Sequence, residues 1–170
     1  MHGTILCTIP DLLLIAQCRW RVRLSQQRLA RDTGLSITTV NGLATGKHQQ
    51  VGVATLGTIC GYFGCQVGEL LRYCPPGMSL SPLPDTVVRR PTLPGTAHVA
   101  VPIQNHISTL VAAFTPGHIA DSVGIAWNTA DGLKGGDATR LDLPILARIC
   151  AWRTCTLDAL LTADLAALPR

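Results

Sequence analysis

Charged residues are scarce in this chain of 170 residues. Only 14% are Asp, Glu, Lys or Arg, whereas 47% are apolar; an average soluble protein has about 25% charged residues. The length suits two domains of about 70 residues, each of which would bury only about 60% of its unfolded surface. We therefore expect the chain to cover apolar surface by docking two halves or by forming a dimer.

The sequence also lacks an apolar run long enough for a membrane span or the core of a signal peptide. Its most apolar early stretch, residues 5–15, has no basic leader and contains Pro10 and Asp11. Seven cysteines would suit a secreted protein, but an odd number leaves one unpaired. We therefore expect a reduced protein located in the cytoplasm.

Motifs of catalysis are missing too. There is no Gly-x-Ser-x-Gly nucleophile motif, and the five histidines have no cysteine or carboxylate at a ligand-like spacing. Residues 42–47 fail as a phosphate-binding loop, because Asn41 stands where the first glycine belongs and His48 where Ser or Thr belongs. We expect no enzyme, no cofactor and no metal.

Two cysteine pairs with the same spacing, Cys60/Cys65 and Cys150/Cys155, raise the question of a metal site. Structural zinc sites generally use closer pairs, such as Cys-x2-Cys, with matching partners. A buried cysteine behaves as a small hydrophobic residue. We expect all four to pack in the core.

An internal repeat is the strongest feature that is present. Residues 25–71 align without a gap to residues 115–161, with 12 identities in 47 positions. The shared positions are small or apolar, the kind that set packing, and the differing ones are largely polar. The identical pairs are Ala30/Ala120, Gly34/Gly124, Thr39/Thr129, Gly42/Gly132, Leu43/Leu133, Gly46/Gly136, Leu56/Leu146, Ile59/Ile149, Cys60/Cys150, Cys65/Cys155, Leu70/Leu160 and Leu71/Leu161.

Between the two copies lies a proline-rich segment, with six of the 11 prolines between positions 75 and 95. It predicts an extended linker that buries little and reaches about 65 Å, against about 34 Å between successive major-groove faces of one DNA duplex. The predicted domains are residues 1–74 and 98–170, joined by a linker at 75–97.

Each copy predicts five short helices, so the expected fold class is all-α. Ser25 and Ser36 are helix N-caps in the first copy, and Gly34 ends the first of the two capped helices. Short alternating segments ahead of each copy, 5–9 and 97–101, are either strands that pair with each other or across a dimer, or irregular tails. The predicted helices are 11–23, 26–33, 37–44, 53–63 and 67–72, then 103–113, 116–122, 127–133, 143–152 and 157–161.

The run 24–30 (LSQQRLA), the turn 33–36 (TGLS) and Gly46-Lys47, with apolar positions between and after them, resemble the Xre family of Cro and lambda-repressor-like helix-turn-helix proteins. The resemblance covers residues 12–73. The second copy is similar more weakly over 103–162, where the glutamine after the cap and the Gly-Lys pair are missing. The resemblance implies two tandem five-helix domains that bind double-stranded DNA.

In such a domain the second helix of the motif lies in the major groove and the first crosses the backbone. The start of the second helix reads bases, while the resemblance places Gln26, Thr39, Thr45 and Lys47 near phosphates. Gly42 adds no side chain, so we expect a sparse reading face. The predicted DNA-binding residues are Arg23, Gln26, Gln27, Ser36, Ile37, Thr38, Thr39, Asn41, Thr45 and Lys47.

The second copy is less suited to DNA. Residues 1–74 hold seven basic against three acidic side chains, whereas residues 106–170 hold five against six. Asp131 replaces Asn41, and Asp137 replaces Lys47. We expect this copy to serve dimerisation, partner binding or sensing before DNA reading. Its candidate contacts are Trp127, Asn128, Thr129, Lys134 and Arg140.

The sequence therefore predicts a transcriptional regulator, a repressor acting as a homodimer on inverted half-sites through the helix at residues 36–44. One alternative is an intrachain pseudo-dimer, in which both copies of one chain read two adjacent half-sites that are direct or unlike. The other is an antitoxin or adaptor that holds a protein partner through the second copy, with DNA binding secondary.

Overall fold

The structure, a computed structural model, describes residues 3–89, 99–136 and 138–168. Its two halves contain the same elements in the same order: a strand, three helices, a strand, two helices and a closing strand. The first half comprises β1 (Thr4–Cys7), α1 (Ile9–Trp20), α2 (Gln26–Thr33), α3 (Ile37–Ala44), β2 (Gln50–Gly52), α4 (Val53–Phe63), α5 (Val67–Leu70) and β3 (Leu71–Cys74). The second comprises β4 (Ile103–Asn105), α6 (Ile107–Val111), α7 (Pro116–Val123), α8 (Trp127–Gly135), β5 (Arg140–Asp142), α9 (Leu143–Arg153), α10 (Leu157–Leu160) and β6 (Leu161–Ala163).

Local chemistry explains the helix ends that the sequence predicts well. The Ser25, Ser36 and Thr115 side chains each accept a hydrogen bond from a backbone N–H in the first turn of the following helix. Gly34 and Gly124 end α2 and α7 with φ of 71° and 69°, a conformation that glycine adopts without strain. The prediction of α3 as residues 37–44 is confirmed.

The expected all-α fold is confirmed only in part: ten helices lie among the described residues, but so do three two-stranded antiparallel sheets. β1 pairs with β3, and β4 with β6, so each leading strand joins the closing strand of its own half. The closing strands take residues 71–72 and 161 from the predicted last helices. Backbone pairing with the leading strand outweighs the local preference for helix there.

The strand ahead of the second half lies at residues 103–105, later than predicted. Val99 and Val101 are not in a strand, and Ala97 lies outside the described residues. The first helices also differ from prediction: α1 spans 9–20, and α6 spans only 107–111 because residues 103–105 form β4. Proline at the start of α1 is tolerated there, since its missing N–H would have no partner in the helix.

The third sheet joins the two halves. In the antiparallel pair of β2 and β5, Val51 lies opposite Leu141, its own equivalent in the repeat. The flanking bonds are symmetric: the Val53 N–H donates to the Thr139 carbonyl at 3.0 Å, and the Leu143 N–H to the Gln49 carbonyl at 2.8 Å. The pairing therefore follows an approximate two-fold axis, as in an isologous interface, but inside one chain.

A second contact pairs equivalent positions. The Gly68 N–H donates to the Asp158 carboxylate at 2.8 Å, and Asp158 is the repeat equivalent of Gly68. Nearby, the Gln66 amide donates to the Ala163 carbonyl at 3.1 Å and accepts from the Ala163 N–H at 2.9 Å. Docking of the two halves, one of the two ways expected to cover apolar surface, is what the structure shows.

The segments before the halves contribute to this docking. The Val101 N–H donates to the Gly57 carbonyl on α4 at 3.1 Å, so the chain entering the second half crosses the first. A Cβ at Gly57 or Gly61 would overlap the Val101 or Val99 carbonyl, so only glycine permits this approach. β1 packs in turn against α9 of the second half.

Residues 75–89 do not form the freely extended linker that was predicted. Val87 and Val88 are buried in the core, and residues 85–87 form a short 3-10 helix. The Arg89 N–H donates to the Phe63 carbonyl, and its guanidinium pairs with Glu69 at 2.7 Å. Two valines in a row outweigh the surrounding prolines because their burial stabilises the docked segment. Within the described ranges, no helix is both apolar and long enough to cross a membrane.

One position in the frame is strained and testable. Thr154 has φ of 51°, where its repeat equivalent, Gly64, has φ of 66°. Because a β-branched residue is unfavourable in the left-handed region, we expect Thr154→Gly to raise the free energy of unfolding by about 1 kcal/mol. Gly64→Ala at the matched position should lower it by about 1 kcal/mol. Thermal and urea unfolding of the full chain measure both changes. A Thr154→Gly protein less stable than the wild type would contradict the backbone strain assigned to Thr154.

Candidate nucleic-acid interface

The two helices α2 and α3 are held by paired caps around a tight turn. The Ser25 Oγ accepts from the Arg28 N–H at 3.2 Å, and the Ser36 Oγ accepts from the Thr39 N–H at 3.0 Å. The left-handed Gly34 lies between the helices. These bonds satisfy amide groups that would otherwise lack partners at the helix starts, and they fix where α3 begins.

The two faces of α3 have different roles. Val40 and Leu43 point into the core. Ile37, 39% exposed, lies with Thr38 and Asn41 on the outer side, as spacings of three and four residues along a helix require. An exposed Asn amide can bond to both N6 and N7 of an adenine, and an Ile or Thr methyl can contact a thymine methyl. The outer face of α3 thus carries groups of the kinds that can contact base edges.

All ten predicted DNA-binding residues lie on α2, on α3 or in the loops next to them, and none is buried. Gln26 and Thr39 are half-buried, and the rest are exposed. The Thr39 and Ser36 hydroxyls lie 2.8 Å apart, and the Thr45 hydroxyl donates to the Asn41 carbonyl at 2.7 Å. These bonds fix the orientation of the Thr39 and Thr45 hydroxyls.

Behind α2 lies an ionic network that the sequence reasoning missed. Asp32 accepts from the Arg28 Nε at 3.2 Å and from the Tyr62 hydroxyl at 3.2 Å, and Arg31 approaches it at 3.6 Å. Arg28 also donates to the Arg23 carbonyl at 2.8 Å. The network ties α2 to α4 and to the loop before it, and Arg28 and Asp32 stand four apart in sequence, which was the available signal.

The exposed charges between positions 12 and 73 favour a polyanion. Arg21, Arg23, Arg31 and Lys47 are exposed in the first half. The acidic residues between positions 12 and 73 are Asp32 and Glu69, which the arginines described above neutralise. Between these positions positive charge is therefore exposed while both carboxylates are paired with arginines, a balance that favours contact with phosphate groups.

Gly42 does not make the outer face of α3 sparse, as was predicted, because it lies on the buried side of the helix. The His48 imidazole packs directly on it, and a Cβ at position 42 would overlap that ring. The His48 N–H donates to the Gly42 carbonyl at 3.1 Å and closes the loop after α3. A glycine inside a helix was the sequence signal for this close contact.

The corresponding helix of the second half, α8, presents different chemistry. Trp127 is 56% exposed, and Asn128, Thr129 and Asp131 are exposed beside it. The Lys134 ammonium donates to the Phe114 carbonyl at 2.7 Å, so this side chain braces the end of α6. Arg140 is exposed in β5, and Asp137 lies outside the described residues. The outer face of α8 combines a large aromatic ring with a carboxylate.

The support behind α7 is aromatic where that behind α2 is ionic. His118 and Trp152, the equivalents of Arg28 and Tyr62, both contact Phe114, with ring centroids 5.2 and 4.9 Å from it. The Arg153 guanidinium lies 5.0 Å from the centre of the Phe114 ring. The two halves thus share one arrangement of helices and strands, but the contacts that support it are ionic in the first half and aromatic in the second.

The repeated cysteines lie in the core. Cys60, Cys65 and Cys150 are fully buried, and Cys155 is half-buried. Desolvation by burial raises the pKa of Cys150 to about 12 and that of Cys7 to about 11, so these thiols stay protonated near neutral pH. Among the residues that the structure describes, no three His, Cys, Asp or Glu side chains group as metal ligands do.

Residues 21–76 match the family model of the Cro/C1-type HTH DNA-binding domain, a family that is in general non-enzymatic. The matched range includes α2, α3 and the adjoining loops, and therefore all ten predicted contacts, from Arg23 to Lys47. Comparison with the curated proteins finds no match, and neither does comparison with the solved structures.

A matched pair of substitutions tests the packing behind α3. Gly132→Ala should raise the free energy of unfolding by about 0.5–1 kcal/mol, because alanine favours helix and, apart from the neighbouring residues and the backbone of α8, no described atom lies within 4 Å of the added Cβ. The change in the free energy of unfolding caused by Gly42→Ala should be at least about 1 kcal/mol less favourable than that caused by Gly132→Ala, because the added methyl group displaces the His48 ring. Urea unfolding of both full-length variants gives the comparison, and equal effects would mean that the ring does not pack on Gly42.

Proposed function

We propose that the protein is a sequence-specific DNA-binding transcription regulator, acting as a repressor, and that α3 reads its operator. The observation that carries the proposal is the exposed outer face of α3, with Ile37, Thr38 and Asn41, inside a range that matches a DNA-binding family. The predicted phosphate contacts at Arg23, Gln26 and Lys47 flank this face along the chain. Bound at an operator in the cytoplasm, the protein would occlude the polymerase.

We further propose that one chain binds one operator, as an intrachain pseudo-dimer of two helix-turn-helix units. The symmetric β2–β5 pairing supports this arrangement over a homodimer, because it gives the two units a fixed two-fold relation within one chain. Two-fold units place their reading helices on inverted half-sites. The half-sites should differ, since Ile37 and Asn41 correspond to Trp127 and Asp131.

Two substitutions on the first unit separate the two kinds of DNA contact. Thr38→Ala should cost about 1–3 kcal/mol at one base position and relax the sequence preference there. Lys47→Ala should weaken binding to all sequences alike and reduce the slope of log affinity against log salt by about one unit. Fluorescence anisotropy titrations over a salt series measure both.

The matched control is Arg153→Ala, which removes the same charge from an exposed position on the second half, beside Phe114. It should leave both the salt slope and the sequence preference within error of the wild type. If Lys47→Ala and Arg153→Ala behave alike at low salt, α3 does not dock on the phosphate backbone as proposed.

The operator and the stoichiometry test the single-chain arrangement. We expect selection from random duplex DNA with the full chain to enrich two unlike half-sites in inverted orientation. Sedimentation of the complex should give one chain per duplex. A palindrome bound by two chains would replace the pseudo-dimer with a homodimer.

A second candidate function rests on α8. Trp127 is 56% exposed beside the Asp131 carboxylate, and an exposed aromatic ring next to a charge suits a protein interface better than a phosphate-lined groove. Under this alternative the protein is an antitoxin or adaptor that holds a partner protein through α8. Failure of the selection to enrich any sequence at any salt concentration would favour it.

A further inference from the structure

The two halves differ at one packing site that the repeat makes directly comparable. In the first half, the His48 imidazole fills the space between α3 and the strand that follows, and lies against Gly42. In the second half, the equivalent residues are Ala138 and Gly132. Among the described residues, and apart from the neighbouring residues and the backbone of α8 itself, no atom lies within 4 Å of a Cβ built on Gly132. The glycine is kept, but the ring that it accommodates is missing.

A cleft of about 420 Å³ occupies this place in the second half. It lies between α8, β5 and the start of α9. Ala138 and Gly132 both line it, together with Thr129, Leu133, Arg140 and Asp142 among others. An engineered apolar cavity of about 150 Å³ is enough to bind benzene, so this cleft has room for one ring and its substituents.

We propose that this cleft binds a small planar nitrogen heteroaromatic, with its ring in the place that the His48 imidazole takes in the first half. Leu133 and the buried Leu146 supply apolar walls for the ring faces. The Thr129 hydroxyl and the Asp142 carboxylate line the same cleft and can bond to ring nitrogens and N–H groups. An apolar slot with a few polar groups is the usual form of a small-molecule site.

The bound ring would connect elements that matter for the rest of the protein. α8 supplies Thr129, Gly132 and Leu133, and β5 supplies Arg140 and Asp142. β5 in turn pairs with β2 of the first half. A ligand in the cleft therefore fills the space between α8 and the strand pair that joins the halves, as the His48 side chain does for α3.

The test uses the full chain with imidazole as the probe, at pH 8.5, where the free ring is neutral. At ten times the dissociation constant, which we expect to be millimolar, imidazole should raise the Tm by about 4 °C. Ala138→His should place a tethered ring in the cleft, raise the Tm without ligand and abolish the response. Ala138→Leu fills the same space with an aliphatic group, and it should also abolish the response if Ala138→His does not fold.

The first half supplies the matched experiment. His48→Ala creates there the arrangement that the second half has naturally, so it should lower the Tm, and imidazole should restore part of the loss. Amide chemical shifts locate the binding: in the wild type, residues 129–146 should move, and in His48→Ala residues 39–56 should move as well.

An equal Tm response in the wild type and in both Ala138 variants would mean non-specific binding and would overturn the proposal, as would the absence of any response in the wild type. An equal response to cyclopentanol would show that the cleft accepts any small ring, and it would overturn the assignment to nitrogen heteroaromatics. None of these measurements uses DNA, so their failure is distinct from the failure of the proposed DNA binding.

Discussion

The antiparallel pairing of β2 with β5 is the contact on which the arrangement of the two halves depends. Only three residues of each strand take part, yet Val51 and Leu141 are buried where they meet, and the bonds from Val53 and Leu143 extend the pairing into the starts of α4 and α9. Each short strand follows directly on the loop after α3 or α8. A shift of register would turn Val51 and Leu141 from the core to solvent, so the pairing also fixes how the two outer helices are related.

Because the two halves share the same helices and strands, they differ mainly in the side chains that support α2 and α7 and in those exposed on α3 and α8. Behind α2, Asp32 is bonded by Arg28 and Tyr62; behind α7, the rings of Phe114, His118 and Trp152 pack on each other. The first arrangement neutralises the Asp32 carboxylate. The second needs no ion pair, and α8 carries an exposed tryptophan and an aspartate. Two units with one backbone plan can therefore present different chemistry to their surroundings.

Much of the helical frame was predictable, because the signals that set it are local. Ser25, Ser36 and Gly34 define the ends of α2 and α3 through contacts within a few residues, and the outer positions of α3 follow from helical spacing. The strands were harder, since β2 is three residues long and its partner lies about 90 residues away. The prolines around Val87 and Val88 predicted an exposed linker, whereas both valines are buried. Their burial depends on contacts with residues distant in the sequence, which no local pattern indicates.

The sequence by itself determined the repeat, the capped helices, the residues on the outer face of α3 and the charge difference between the halves, because each depends on residue type and on neighbours close in the chain. The tertiary structure decided which strands pair, that residues 85–89 pack on the first half, that the halves share a two-fold relation, and that His48 rests on Gly42 where Ala138 leaves a cleft. These features depend on the space between distant segments. That space is set by the packing of whole helices and strands, and it is therefore fixed only once the chain has folded.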